Sequence, residues 1–213
     1  MTRSGTLAVL VFFGLGVAAA VAEDKFEPGE GWIQLFNGKD LTGWKTRGPN
    51  TSWEVQDGVL ANLREKNGVK RRGVDIYTEK KFLDFKLHIE FKVPKGGNSG
   101  VYLRGRKEVQ VHDSYGVAKP GSGHCGGIYS VAAPLVNACK PAGEWNTFDI
   151  TCVGNKITVY LNGKLIQDNV EVNRPTGGSM GGQLGTPGPI MLQGNHSTVW
   201  YRNIWIKPLP RKE

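Results

Sequence analysis

The 213-residue chain is poor in cysteine: it has three, Cys125, Cys139 and Cys152. No C-x-x-C or H-x-x-x-H spacing accompanies them, which argues against a structural zinc site. An odd count also excludes complete pairing. Cys125 and Cys139 both lie in Gly/Pro-rich sequence and could pair, whereas Cys152, beside Ile150 in a strand pattern, reads as a buried core thiol. Beyond residue 22 the chain has no helical period of useful length. Nor does it have an apolar run near the roughly 20 residues that a membrane-spanning helix requires. Internal repeats, linkers and low-complexity segments are missing too, so a single domain is expected. Acids are outnumbered by Lys and Arg, 19 against 27. The basic residues are scattered (Lys70-Arg71-Arg72, Lys80-Lys81, Arg211-Lys212) and not interleaved with aromatics along a stripe. A solvated basic surface is therefore expected, not a nucleic-acid partner.

The one long apolar run, Leu7 to Val17, follows Met1-Thr2-Arg3 and precedes Ala20-Val21-Ala22. A basic start, a short apolar stretch and a small-residue cleavage motif describe a secretory signal peptide over residues 1–22. The expected product is one exported domain over residues 23–213, periplasmic or extracellular, with no membrane span in the mature chain.

What remains is strand pattern broken by turn signals. Trp32 to Phe36 reads as a strand ended by Asn37-Gly38, and Leu41 to Trp44 reads as a short connection. Trp53–Gln56 and Val59–Asn62 flank Asp57-Gly58 as a hairpin, and residues 63–75 read as a polar loop. From Phe85 to Val93 apolar residues alternate with Lys86, His88, Glu90 and Lys92, the pattern of one buried and one wet face, with His88 on the wet side. Trp145 to Val153, Lys156 to Leu161 and Lys164 to Val170 form consecutive hairpins. Ile190–Gln193 and Val199–Pro208 are the last strands. Two flexible loops, residues 113–143 and 177–188, interrupt the series, and loops of such length are often functional. Many short strands with little or no helix predict an all-β sandwich or jelly roll.

Within this series, residues 96–116 carry the most chemistry. They read as two strands whose side chains alternate between faces. Val101, Leu103, Val109 and Val111 form an aliphatic face. Tyr102, Arg104, Glu108, Gln110 and His112 form the other, rich in hydrogen-bonding and titratable groups and suited to lining a polar groove.

Several segments together resemble one family. They are Trp32-Ile33-Gln34-Leu35-Phe36-Asn37-Gly38-Lys39-Asp40-Leu41-Thr42-Gly43-Trp44, then Gly97-Asn98-Ser99-Gly100-Val101-Tyr102-Leu103-Arg104, then Glu108-Val109-Gln110-Val111 with Asp113-Ser114-Tyr115-Gly116. Pro141-Ala142-Gly143-Glu144-Trp145-Asn146, Asn162-Gly163 and Arg202-Asn203-Ile204 follow as later landmarks. The chain resembles the 3-keto-disaccharide hydrolase domain family over almost all of its length after residue 22. The resemblance implies a concanavalin A-like jelly roll of two antiparallel sheets, with the ligand groove on the concave sheet. It also implies export from bacteria that degrade polysaccharides and plant glycosides, and activity on glycosides already oxidised to a ketone at carbon 3.

Such a ketone acidifies the carbon-2 proton. Cleavage then needs a base, a stabiliser for the enolate oxygen, and an acid for the leaving group. Arg104, always charged and with forked donors, suits the enolate role. Glu108 and His196 are the base candidates, although Glu108 could equally be a metal ligand or the static partner of Arg104. Gln110 and Gln193 suit sugar hydroxyls, Tyr102 a sugar ring, and His124 a loop that closes over substrate. Asp113 ends the polar strand, where a turn-forming role is open as well. A divalent cation is the alternative enolate stabiliser, with Glu108, Asp113, His124 and His196 as ligands. A retaining glucanase on the same fold would need two carboxylates about 5 Å apart. Glu108 and Asp113, at odd spacing on one strand, do not share a face. A non-catalytic, lectin-like sugar-binding module is the remaining alternative.

Overall fold

A computed structural model describes residues 26–210, all β-strand, turn and loop, with no helix among them. The expected leader, residues 1–22, lies outside the described residues. Fifteen strands form in order. They are β1 (Ile33–Gln34), β2 (Trp44–Thr46), β3 (Trp53–Gln56), β4 (Val59–Asn62), β5 (Glu65–Lys66), β6 (Val69–Lys70), β7 (Ile76–Thr78) and β8 (Phe85–Lys92), followed by β9 (Asn98–Leu103), β10 (Lys107–His112), β11 (Asn146–Val153), β12 (Lys156–Leu161), β13 (Lys164–Glu171), β14 (Met191–Leu192) and β15 (Val199–Pro208).

They pair antiparallel into an eight-stranded sheet, ordered β13-β12-β11-β8-β15-β4-β3 with β1 joined to β15, and a five-stranded sheet, ordered β10-β9-β14-β7-β2. The short β5–β6 hairpin stands apart within the stretch expected to be loop. Alternation builds the sandwich. Phe85, Leu87, Ile89 and Phe91 of β8 are all buried, as are Phe148, Ile150 and Cys152 of β11. From the other sheet, Ile76, Val101, Leu103, Val109, Val111 and Leu192 join the same core cluster. Each such side chain contributes about 1.5–3 kcal/mol on burial. Register is held by turn chemistry. Asn162 and Gly163, between β12 and β13, both take positive φ (51° and 76°). Two-residue hairpins of the primed type need that conformation, and Asn-Gly supplies it at low cost.

Three expectations need correction. His88 does not stand in water. It is 4 % exposed because Phe26 stacks on its ring at 3.8 Å, while its Nδ1 meets Asp149 Oδ1 at 2.7 Å. The stretch after Leu41 holds a true strand, β2, which pairs with β7 at the edge of the five-stranded sheet. Cys125 and Cys139 are free thiols. They meet as hydrogen-bonded neighbours, and burial pushes the Cys125 thiol well above its usual range.

Residues 113–143 contain none of the fifteen strands, yet they are tied to the molecule. Gln110 N donates to Gly127 O (2.9 Å) and Gly126 N to Gln110 O (2.8 Å). The loop therefore occupies the open edge of β10, which would otherwise present unpaired backbone groups.

Candidate active site

The outward face of the five-stranded sheet is built in cross-strand rows. One row reads Glu108, Tyr102, Met191, Tyr77, Lys45, each the Cα partner of the next. Beside it lies a second row, in which Gln110 faces Gly100 and Gln193 N donates to Gly100 O (2.9 Å). These rows floor a cleft of about 340 Å³, whose polar lining comes from Asn98, Tyr102, Glu108, Gln110, Gln193 and His196. Tyr129 of the long loop and Asn195 of the β14–β15 turn stand at its rim, both exposed.

Glu108 is the only carboxylate in this lining, and it is 2 % exposed. No Lys, Arg or His forms an ion pair with it among the described residues. Burial pushes its carboxyl up to about 7. The Tyr102 hydroxyl opposes that shift, and the negative charge of Asp75 adds to it. Tyr102 O–H donates to Gly177 O at 2.6 Å, and Gln193 Nε2 donates to the same phenolic oxygen at 3.4 Å. Burial raises the tyrosine's own pKa as well, so the phenol stays protonated and serves as a neutral hydrogen-bonding group.

The other oxygens of the cleft are short of partners. Asn98 Oδ1, Gln110 Oε1 and Gln193 Oε1 are all buried without a hydrogen bond. An unpaired buried acceptor costs about 1–3 kcal/mol, and three of them belong to residues that line one cleft. That arrangement fits a ligand that brings several hydroxyl donors.

The expected site residues divide. Glu108, Tyr102, Gln110, Gln193 and His196 come together in the cleft. Arg104 does not. Its φ is +55°, which ends the alternation of β9 and swings the guanidinium to the end of the sandwich. There it binds Asp84 Oδ1 (2.9 Å), Gly154 O (2.8 Å) and Leu83 O. It is neither the partner of Glu108 nor placed to hold an enolate in this cleft. Asp113 caps a turn, its Oδ2 accepting from Gly96 N at 2.9 Å. His124 is held in its own loop, Nδ1 accepting from Gly121 N at 2.8 Å. Neither lines the cleft. Accordingly, the donor set weighed for a divalent cation is not gathered, and no cluster of three or more His, Cys, Asp or Glu that could hold a metal exists among the described residues.

Asn98 is the residue that the sequence reading overlooked. It stands two positions before Gly100 and four before Tyr102, so strand parity alone puts it on their face. Tyr129 and Asn195 gave no comparable signal, because both are carried by loops.

A jelly roll whose five-stranded sheet bears a hydroxyl-seeking cleft with one buried carboxylate defines a carbohydrate-active protein. Its relatives are more specific. Residues 31–207 match the model of the 3-keto-alpha-glucoside-1,2-lyase-like domain, and the chain belongs to that family. It is 24 % identical to the 3-keto-disaccharide hydrolase of Bacteroides thetaiotaomicron over 230 residues, spanning 84 % of this chain and 79 % of that one. The crystal structure of a candidate glycosyl hydrolase from Parabacteroides distasonis superposes with a TM-score of 0.69 at 36 % identity, covering 84 % of each chain. The β-glucanase of Bacillus licheniformis, at 13 % identity and a TM-score of 0.53 over 84 % of this chain and 97 % of that one, shares the fold alone.

Proposed function

We propose that this protein cleaves 3-keto-glycosides by proton abstraction at carbon 2, with Glu108 as the base. The observation that carries the reading is the state of Glu108: a lone carboxylate without an ion-pair partner, buried in a polar cleft, its pKa pushed up to about 7. A general base works best when its pKa lies near the working pH. A glucanase would need a second carboxylate within about 5 Å, and the cleft lining contains none.

In this reading the ionised Glu108 takes the carbon-2 proton, and the C–H electron pair moves onto the carbon-3 oxygen as an enolate. The side-chain amide N–H groups of Gln110, Gln193 and Asn98 are the neutral donors available to that oxygen, in place of Arg104. The enolate re-forms the ketone, the C1–C2 double bond forms and the C1–O bond breaks. The departing oxygen gains a proton from His196 at the rim or from water. Addition of water across the double bond completes hydrolysis. If elimination is the end point, the same residues make the protein a lyase. The unpaired oxygens of Asn98, Gln110 and Gln193 accept the remaining sugar hydroxyls. The leader-like stretch over residues 1–22 supports an exported protein as part of this proposal.

The test is incubation with 3-keto-trehalose or a 3-keto-glucoside, with release of the aglycone followed in wild type and in Glu108→Gln. Release by wild type, abolished in Glu108→Gln, is the expected result. Saturable binding without release, unchanged in the variant, would leave a lectin-like module.

A further inference from the structure

The β9–β10 turn buries three cations, Arg104, Arg106 and Lys107, at 2 %, 6 % and 2 % exposure. Among the described residues only Arg104 has a carboxylate partner, Asp84. Arg106 meets neutral oxygens alone: Gly181 O at 3.1 Å, Thr186 O at 2.9 Å and Thr186 Oγ1 at 2.9 Å. Lys107 Nζ meets Asn155 Oδ1 at 3.2 Å. Burying a cation without a counter-charge is costly. Both residues register that cost, burial first and the neighbouring Arg104 charge after it pulling their pKa values down.

Arg106 opens onto a second cleft of about 470 Å³, lined also by Lys45, Tyr77, Glu79, Lys81 and Gly182. Lys45 pairs with Glu79 at 2.8 Å, and Glu79 is the only acid in the lining. Lys81 is exposed and has no ion-pair partner among the described residues. Gly182 keeps the wall thin, since a Cβ there would come within 3.0 Å of Arg106 Nη2. The cleft is therefore positive on balance, against a buried guanidinium that no carboxylate among the described residues neutralises.

Its position relates it to the first cleft. Tyr77 and Lys45 continue the cross-strand row that begins at Glu108 and Tyr102. At about 4.8 Å per strand, Tyr77 lies about 14 Å from Glu108, a span on the scale of a short oligosaccharide. The segment over residues 176–189 runs between the two clefts. Tyr102 pins it at Gly177 O, Arg47 at Gly178 O and Arg106 at Gly181 O.

We infer that the second cleft is a binding site for an anionic group carried on a glycan, a carboxylate, sulfate or phosphate, held by Arg106, Lys81 and Lys45. In relation to the first cleft it is a subsite for an acidic sugar. This second step rests on the reading of Glu108 given above, but the binding itself does not.

Isothermal titration of the full chain with glucuronic acid, glucose 6-sulfate, glucose and inorganic sulfate tests it. The acidic sugars should bind about tenfold more tightly than glucose, the worth of one charge-assisted hydrogen bond, and the advantage should shrink as salt is raised. Lys45→Gln/Lys81→Gln should erase the advantage, while Glu108→Gln keeps it. That contrast separates a failure here from a failure of the catalytic reading. Equal binding of acidic and neutral sugars, or an advantage that survives the double substitution, overturns the inference. Inorganic sulfate that binds as tightly as glucose 6-sulfate overturns the glycan part of it.

Discussion

The Glu108 carboxylate lies over the bare backbone of Gly100 on the neighbouring strand. A Cβ at position 100 would fall 2.2 Å from Glu108 Oε1 and 2.8 Å from its Cγ and Cδ. Gly100 is not among the positive-φ glycines, so its backbone can accept alanine. The clash is with the carboxylate. Gly100→Ala should fold, lose about 1–3 kcal/mol of stability through overpacking, and displace the base. Cleavage of a 3-keto-glucoside should fall about 100-fold or more, as when a general base is misplaced. A thermal melt beside a rate measurement checks both halves.

Glu108 also ties pH to stability in an unusual direction. Its folded-state pKa, about 7, lies above its ordinary value of 4.5. The native state therefore binds more protons than the unfolded state between those values, and stability falls as pH rises through that window. The full cost above pH 7 is about 3 kcal/mol. Glu108→Gln, which cannot ionise, should match wild type near pH 4 and exceed it by about that amount at pH 8 in paired denaturant titrations. Wild-type kcat/KM should move the opposite way, rising with pH on an acid limb centred near 7, because the base must be ionised.

Gln110 offers a separation of binding from folding. Its unpaired oxygen is a cost in the free protein. Gln110→Leu, similar in shape, should leave stability unchanged or raise it by about 1 kcal/mol. The same change should lower kcat/KM about tenfold by removing a sugar contact. A variant that is less stable and fully active would contradict the role assigned to that oxygen.

Arg104 should behave as a structural cation. Removing its carboxylate with Asp84→Ala leaves a buried guanidinium uncompensated and also frees Gly154 N, which donates to Asp84 Oδ1 at 2.9 Å. A loss of about 3–5 kcal/mol is expected. At temperatures where the variant remains folded, its kcat should stay within about threefold of wild type, because neither residue touches the Glu108 cleft. A collapse of kcat in folded protein would return Arg104 to the chemistry.

Much of this architecture is legible in the chain. The alternation in Phe85–Lys92 and Asn146–Val153 marks the two central strands of the large sheet, because each has one face on the core and one outward. Val199–Pro208 falls where its pattern puts it. Strands β2 and β7 were harder to see because three residues give too few alternations to stand above noise. The same parity argument that places Tyr102, Glu108 and Gln110 on one face fails at Arg104. It assumes extended backbone, and Arg104 is left-handed. His88 misled for a different reason: its neighbours Lys86 and Lys92 are polar, but its cover comes from Phe26, 62 residues earlier in the chain. Long-range cover of that kind leaves no local trace.

The stacking of Phe26 on His88 has a directional consequence. His88 belongs to the outer surface of the eight-stranded sheet, whereas the Glu108 cleft opens from the outer surface of the five-stranded one. The two lie on opposite sides of the sandwich. Phe26, stacked there, therefore sits on the back of the molecule, and the mouth of the cleft is left clear of it.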